Sequence, residues 1–338
     1  MTRRLLPLLL LSLVACEGPH AGVEVWRFAI EETSGSVQDR YAQRFAELIE
    51  ERTNGEVDVI VYPYGALGTS DHITEQLHMG TLELAMSSPG HLGKLIPEMQ
   101  AFLLHFVLSE DGEANARAMR DPELRAFLDA LYEEKGLGFL TAFGEGAMAW
   151  TTQERIRSPA DFDGVRIRVM TSPLLLASYE AYGASPTPLP YGEVYSGLQL
   201  RMIDGQVNPV FAIEEMSFFE VTEVLTFPHH SEFVTTVAAN PDFRDGLSPE
   251  RRELLTDVID ELQMEIYETQ RSVNEERLDS IRERDPDMQI VHLTPEERDG
   301  FRAAAAPVRQ QYVDMVGPRG REMLEHLEAA VERAEATP

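Results

Sequence analysis

Residues 183–209 read GASPTPLPYGEVYSGLQLRMIDGQVNP. Turn formers from Gly183 to Pro188 precede Tyr191 and a short amphipathic run. An Asp204-Gly205 turn then leads into Gln206-Val-Asn-Pro209. Glycine and proline at such positions punctuate the backbone. The stretch therefore reads as a turn, a short helix and a second turn. Just upstream lies Asp163-Gly-Val-Arg-Ile-Arg-Val169, where Val165, Ile167 and Val169 alternate with Arg166 and Arg168. That is a strand with one buried and one basic face.

Working outward, residues 23–30 alternate like a strand, and 56–62 form a second strand closed by Pro63. Between them Tyr41, Phe45, Leu48 and Ile49 share one helical face. A helix over 70–79 is stopped by Gly80, residues 82–86 form a short buried strand, helices fill 113–134, and 137–142 is another strand. Strands at 148–152 and 165–170 open a second unit, and a strand at 233–239 returns the chain to the first. Alternation of this kind predicts a mainly parallel α/β architecture. Ser248-Pro-Glu250 starts a helical pattern without a breaker until Pro286, with Leu254, Val258, Leu262 and Ile266 as its stripe. A last strand at 288–293 precedes Thr294-Pro-Glu-Glu297, a capping box that opens two C-terminal helices.

The N-terminus reads as a targeting segment. Arg3 and Arg4 precede an apolar run over 5–15 that is too short to span a bilayer as a helix but suits a signal peptide. Leu13-Val-Ala-Cys16 resembles a bacterial lipobox, and Cys16, the single cysteine of the chain, is the expected lipidation site. Residues 17–22 are read as a linker. Removing 1–16 takes away two arginines and no acid, so the formal charge moves from −29 to −31. Such a surface repels nucleic acid and anionic headgroups. An anionic ligand would need a local cation to overcome that field.

Other chemistries fail on context. Gly144-Glu-Gly146-Ala-Met-Ala149 mimics a dinucleotide fingerprint, but Trp150-Thr-Thr152 and Pro159 follow where a helix should open. His229-His230 lacks partners at metal-ligand spacing. No nucleophile elbow, zinc-protease motif or P-loop occurs. No cofactor and no metal are expected.

Arg166-Ile-Arg-Val169, Gly183-Ala-Ser-Pro-Thr-Pro188, Glu193-Val-Tyr195 and Ile203-Asp-Gly-Gln-Val-Asn-Pro209 occur in order. Together they resemble the extracytoplasmic solute receptors of tripartite ATP-independent periplasmic (TRAP) transporters, of the DctP type. Tyr62-Pro-Tyr-Gly-Ala-Leu-Gly68 and Leu77-His-Met-Gly80 are similar to the N-terminal half of that family. The resemblance covers roughly residues 23–330. It implies a two-lobed periplasmic-binding-protein fold with a long helix spanning both lobes. Lobe I is then 23–145 plus 234–273, and lobe II is 146–233 plus 274–338.

The same resemblance implies a non-enzymatic receptor that closes on a small organic acid and delivers it to small and large membrane subunits. Arg168 becomes the carboxylate-binding arginine, since its planar fork donates two parallel hydrogen bonds that lysine cannot copy. Asn208 and Tyr191 are brought to the cleft, and alignment around the motifs adds Glu31, Ser88, Met148 and Trp150. An acid such as Glu31 facing the cleft would mean a solute that also bears an amine or hydroxyls. The alternatives are a lipid-anchored sensor for a signalling receptor and an extracytoplasmic hydrolase. Core packing is the competing reading for Met148 and Trp150, and a solvated loop acid for Glu31.

Overall fold

The computed structural model describes residues 23–336; Cys16, the signal segment and the linker lie outside them. In chain order the strands are β1 (Glu24–Ala29), β2 (Val57–Tyr62), β3 (Leu84–Ser87), β4 (Gly138–Ala147), β5 (Ala149–Thr152), β6 (Arg166–Val169), β7 (Ser185–Pro188), β8 (Gly205–Asn208), β9 (Val224–Phe227), β10 (Glu232–Ala239) and β11 (Gln289–His292). They form two sheets, ordered β2-β1-β3-β10-β4 and β11-β9-β5-β8-β6-β7. The fold is two-lobed, with one sheet at the heart of each lobe.

The sheets are mixed rather than mainly parallel, and the reason is the way the chain passes between them. β4 runs almost directly into β5, and β9 leads within a few residues to β10. β10 lies antiparallel to β3 and β4, and β5 lies antiparallel to β8 and β9. The remaining pairings are parallel. Each sheet thus carries one reversed strand where the chain crosses from one lobe to the other.

The Gly144-Glu-Gly146 motif belongs to this crossing. Gly146 sits at φ +136°, and a Cβ there would lie 2.6 Å from the Asn274 Nδ2 atom. That amide donates to the Glu145 carbonyl at 2.8 Å. Gly144 leaves room for the buried carboxylate of Glu232, which accepts from Asn115 Nδ2 at 2.6 Å. Close packing at the crossover, not a phosphate, explains both glycines.

Two segments differ from the sequence reading. Gly183-Ala-Ser-Pro-Thr-Pro188 is not simply a turn, because Ser185–Pro188 continues as β7, parallel to β6. Its two prolines are tolerated because β7 is an edge strand, where missing donors face away from the ladder. The crossing segment after Asp204-Gly205 is β8, buried along its whole length.

The long helix runs Pro249–Arg284, 36 residues, with the Ser248 side chain accepting from Arg251 N–H. At 1.5 Å per residue it extends about 54 Å. Its first two-thirds bury Leu255, Val258, Ile259, Leu262 and Ile266 beneath the first sheet. The stripe centres on Leu255, and Leu254 sits half-buried at its edge. Farther along, Asn274 accepts from Phe211 N–H, and Arg277, Ser280 and Arg284 all engage Glu214 of the second lobe. The C-terminal helix Pro295–Val316 begins at the predicted capping box and packs on Pro173–Ala181. The last helix, Pro318–Glu335, packs back on Gly112–Ala118 and Pro122–Glu133.

Gly146→Ala should lower stability by about 1–3 kcal/mol, from left-handed strain and the clash with Asn274. Urea denaturation of the purified variant measures this; a loss below a few tenths of a kcal/mol would contradict the crossover account.

Candidate functional site

Between the two sheets lies a narrow cavity lined by residues from both. Glu31, Glu32, Ser70, Ser88, His91 and Phe233 come from the first-sheet side. Arg168, Met170, Tyr191, Asn208, Pro209 and Ala212 come from the second.

Arg168 is placed by β6, with Ile167 and Val169 turned into the core. Its side chain is only 2% exposed. Nε and Nη2 both donate to the Leu189 carbonyl, at 3.0 and 2.9 Å. Among the described residues no carboxylate comes within ion-pair distance of it, in a chain with 58 acids and 29 basic residues. Burial lowers its pKa to about 10, which still leaves it a cation at neutral pH; the nearby Tyr191 and Tyr64 hydroxyls act in the opposite direction. Arg166, two residues back, is different. It forms a two-pronged pair with Asp204, Nε to Oδ2 at 2.8 Å and Nη2 to Oδ1 at 2.6 Å. Both arginines lie on one face of the strand; Arg166 sits at its exposed end, while Arg168, one pleat farther in, is covered by Leu189.

Asn208 ends β8 beside it. Its Nδ2 donates to Gln206 Oε1 at 2.5 Å, and Gln206 Nε2 donates to Thr151 Oγ1 at 2.9 Å, so a buried chain of amides orients the Asn208 head. Tyr191 follows Pro190 and donates its hydroxyl to Glu215 at 2.8 Å. Its ring meets Tyr64 edge-on, centroids 5.6 Å apart, and the Tyr64 hydroxyl accepts from Gly192 N–H at 3.2 Å. The Tyr62–Gly68 turn therefore reaches across to the second lobe, a contact that its motif did not reveal.

On the first-lobe wall, Glu31 follows β1 and is 6% exposed. One oxygen accepts from Ser88 N–H at 2.7 Å. The other, Oε1, is buried without a well-formed hydrogen bond, as is Ser88 Oγ, although the Ser88 and Ser70 hydroxyls lie near enough to favour the charged carboxylate. Burial pushes the Glu31 carboxyl up, opposed by the charge of His91 and by the Ser88 N–H. His91, absent from the sequence-derived set, is 3.5 Å from Asp71 through Nδ1, and Asp71 also holds Lys94 at 2.5 Å. Burial pushes the His91 pKa down, but Glu31 and Asp71 outweigh it and leave the imidazole more basic than usual. His91 sits in the single turn Pro89–Leu92 that follows Ser88, and no motif marked it because its partner Asp71 is distant in sequence.

Five sequence-predicted residues, Arg168, Asn208, Tyr191, Ser88 and Glu31, thus line one cavity. Met148 and Trp150 do not. Both sit in the apolar core, and the Trp150 indole donates to the Tyr179 hydroxyl at 2.9 Å amid Phe162, His230 and Phe301. β5 alternates, and its buried face here is core rather than cleft.

The family model described as bacterial extracellular solute-binding protein, family 7 (DctP) matches residues 28–314. The chain belongs to that family. It is a solute-binding receptor of the TRAP type, and members of this family are receptors rather than enzymes. It is 40% identical over 313 residues to the ectoine/5-hydroxyectoine-binding periplasmic protein UehA of Ruegeria pomeroyi, covering 92% of each chain. It is 40% identical over 305 residues to the ectoine-binding periplasmic protein TeaA of Halomonas elongata, covering 90% of this chain and 89% of that one. The solved ectoine-binding protein of the Halomonas elongata TeaABC TRAP transporter superposes with a TM-score of 0.88 at 39% identity, over 92% of this chain and all of that one. No helix among the described residues is long and apolar enough to cross a membrane.

Trp150→Phe tests the core placement. Losing the indole–Tyr179 hydrogen bond should cost about 1–3 kcal/mol of stability while solute affinity stays within a few-fold of the parent. Melting curves and calorimetry separate the two, and a large affinity loss at unchanged stability would return Trp150 to the cleft.

Proposed function

We propose that this receptor captures a small zwitterion of the ectoine class, a ring bearing a carboxylate and an amidinium, and delivers it to the membrane subunits of a TRAP transporter. The observation that carries this reading is the pairing of two opposite, buried and incompletely satisfied charges on the two walls of one cavity. Arg168 has no carboxylate partner, and Glu31 keeps a buried oxygen without a well-formed hydrogen bond. A solute carboxylate on Arg168 and Asn208, with a cationic N–H on Glu31, satisfies both groups at once. A plain monocarboxylate would leave Glu31 unmatched, so the organic acid expected from Arg168 alone becomes a zwitterion. The relatives that bind ectoine support this choice. Tyr191, Ser88 and His91 shape the remaining wall, and no group in this reading performs chemistry on the solute.

The lobes are proposed to divide where the chain passes between sheets, giving 23–145 plus 234–273 and 146–233 plus 274–338. On this division the last helix bridges back to lobe I. Cys16 is proposed as the lipid-bearing first residue of the mature, extracytoplasmic protein, with residues 1–16 as signal peptide and 17–22 as a tether.

Calorimetry with ectoine tests the solute. Arg168→Ala leaves a desolvated carboxylate unpaired and should cost about 3–5 kcal/mol, a loss of roughly 10²-fold to 10³-fold or more. Arg168→Lys should also bind poorly, because one ammonium replaces a fork. Glu31→Gln and Asn208→Ala should each cost about 1.5–3 kcal/mol, and Arg166→Ala much less. Near-parental affinity in Arg168→Ala would reject the carboxylate assignment.

For the anchor, Cys16→Ser should release folded receptor into the soluble extracytoplasmic fraction, since a lipid and not a helix would hold it. Unchanged membrane partitioning would reject lipidation.

A further inference from the structure

Beside the solute cavity lies a second polar cluster that solute recognition leaves unused. Glu32 follows Glu31 at the end of β1, and Glu145 lies near the end of β4; both are on the first lobe. Glu215 ends the helix Val210–Glu215 of the second lobe. Glu32 and Glu145 are both buried and meet around Gln38, whose backbone N–H donates to Glu32 and whose side-chain amide donates to Glu145. Gln38 Nε2 donates to Glu145 Oε1 at 3.0 Å, but Glu145 Oε2 is buried and receives no donor. An acceptor facing another acceptor in a dry site requires a proton between them.

The surrounding groups supply little positive charge. Glu32 receives only the Gln38 N–H at 3.4 Å and the Ser36 hydroxyl. Glu31 faces Glu145 from the cavity side, partly offset by His91. Glu215 accepts from Tyr191 at 2.8 Å and from the Thr33 hydroxyl. Arg277 lies near Glu215 but is bound to Glu214 at 3.0 Å and to the Gly35 carbonyl at 3.3 Å. Arg284 is bound to Glu214 and Glu220. Arg168 reaches the cluster only through Tyr191.

We propose that Glu32, Glu145 and Glu215 form a proton-binding site assembled when the two lobes close, so that capturing solute takes up a proton. The geometry requires this because the three carboxyls come from both lobes, and opening the cleft would part Glu215 from the pair and admit water. Burial pushes Glu145 up to about 8, against the Glu32 and Gln38 contacts and with help from the Glu31 and Glu215 charges, and pushes Glu215 up to about 7 against Tyr191, Thr33 and Arg277. Glu32 moves in the same direction, by burial first and then by Glu145 and Glu215. For an acid raised in the closed form, the stabilisation is complete below its open-form value. It is lost as pH rises through the closed-form value. Closure is therefore favoured at mildly acidic pH and weakens across about pH 7–8.

The test, which takes ectoine as the probe and to that extent rests on the proposed solute, is calorimetry near pH 7.5 in buffers of low and high ionisation enthalpy. The expected result is a buffer-dependent heat showing uptake of about half to one proton. Affinity should fall by up to about tenfold per pH unit through the alkaline range. In the double variant Glu145→Gln with Glu215→Gln, which spares the cavity lining, the heat should become independent of buffer and the affinity flat with pH. A buffer-independent heat in the unmodified protein overturns the proposal. Should ectoine give no heat, the solute reading fails and small-angle scattering of the solute-free protein decides the proton site. A radius of gyration smaller at pH 5 than at pH 9, with the difference gone in the double variant, supports the site; an invariant radius in the unmodified protein overturns it.

Discussion

A guanidinium buried without a carboxylate is the constraint around which this molecule is arranged. Most arginines among the described residues pair with one of the many acids, as Arg166 does with Asp204. Arg168 lies two positions along the same strand and meets a backbone carbonyl instead. Keeping it there costs desolvation that the fold does not recover internally. The second sheet positions the residue, the turn at Leu189 and Pro190 caps it, and the amide chain from Thr151 to Asn208 sets a second donor beside it. What is missing is an anion. A strongly acidic protein can select an anionic group only if one cation is shielded from its own acids, and the cleft performs that shielding.

The opposite wall makes the selection narrower. Glu31 is held by Ser88 N–H and flanked by His91, which is itself held by Asp71. These groups oppose the burial that raises the Glu31 carboxyl. On the proposed reading the solute brings both charges, one to each wall of the cavity. The closed arrangement also crowds Glu32, Glu145 and Glu215, so recognition and the cost of closure come from adjacent parts of the same corner. Gln38 joins them, accepting from Glu31 N–H while donating to Glu145.

Much of this was legible in the sequence, and the omissions have physical causes. The long helix announced itself through Ser248-Pro249 and an unbroken apolar stripe, and its capping side chain is as expected. Alternation in 165–169 put both arginines on one basic face, and only the family resemblance singled out Arg168 and placed Asn208 and Tyr191. β7 was hidden because prolines argue against strands except at edges, and edges are a property of the sheet, not of the segment. Trp150 and Met148 were assigned by alignment around the motifs, which does not tell cleft from core, and they lie in the apolar core. His91 and the Glu32–Glu145 pair were invisible because their partners are distant in sequence, and with so many acids no spacing singles out the few that meet.

The central claim is that Arg168 and Glu31 hold the two ends of one zwitterion. A crystal structure of the receptor grown with ectoine tests it most directly. The account predicts the carboxylate within hydrogen-bond distance of the Arg168 guanidinium and Asn208, and a ring N–H on the free oxygen of Glu31. A ligand bound in the reverse sense, or one that leaves Glu31 without a contact, would contradict it.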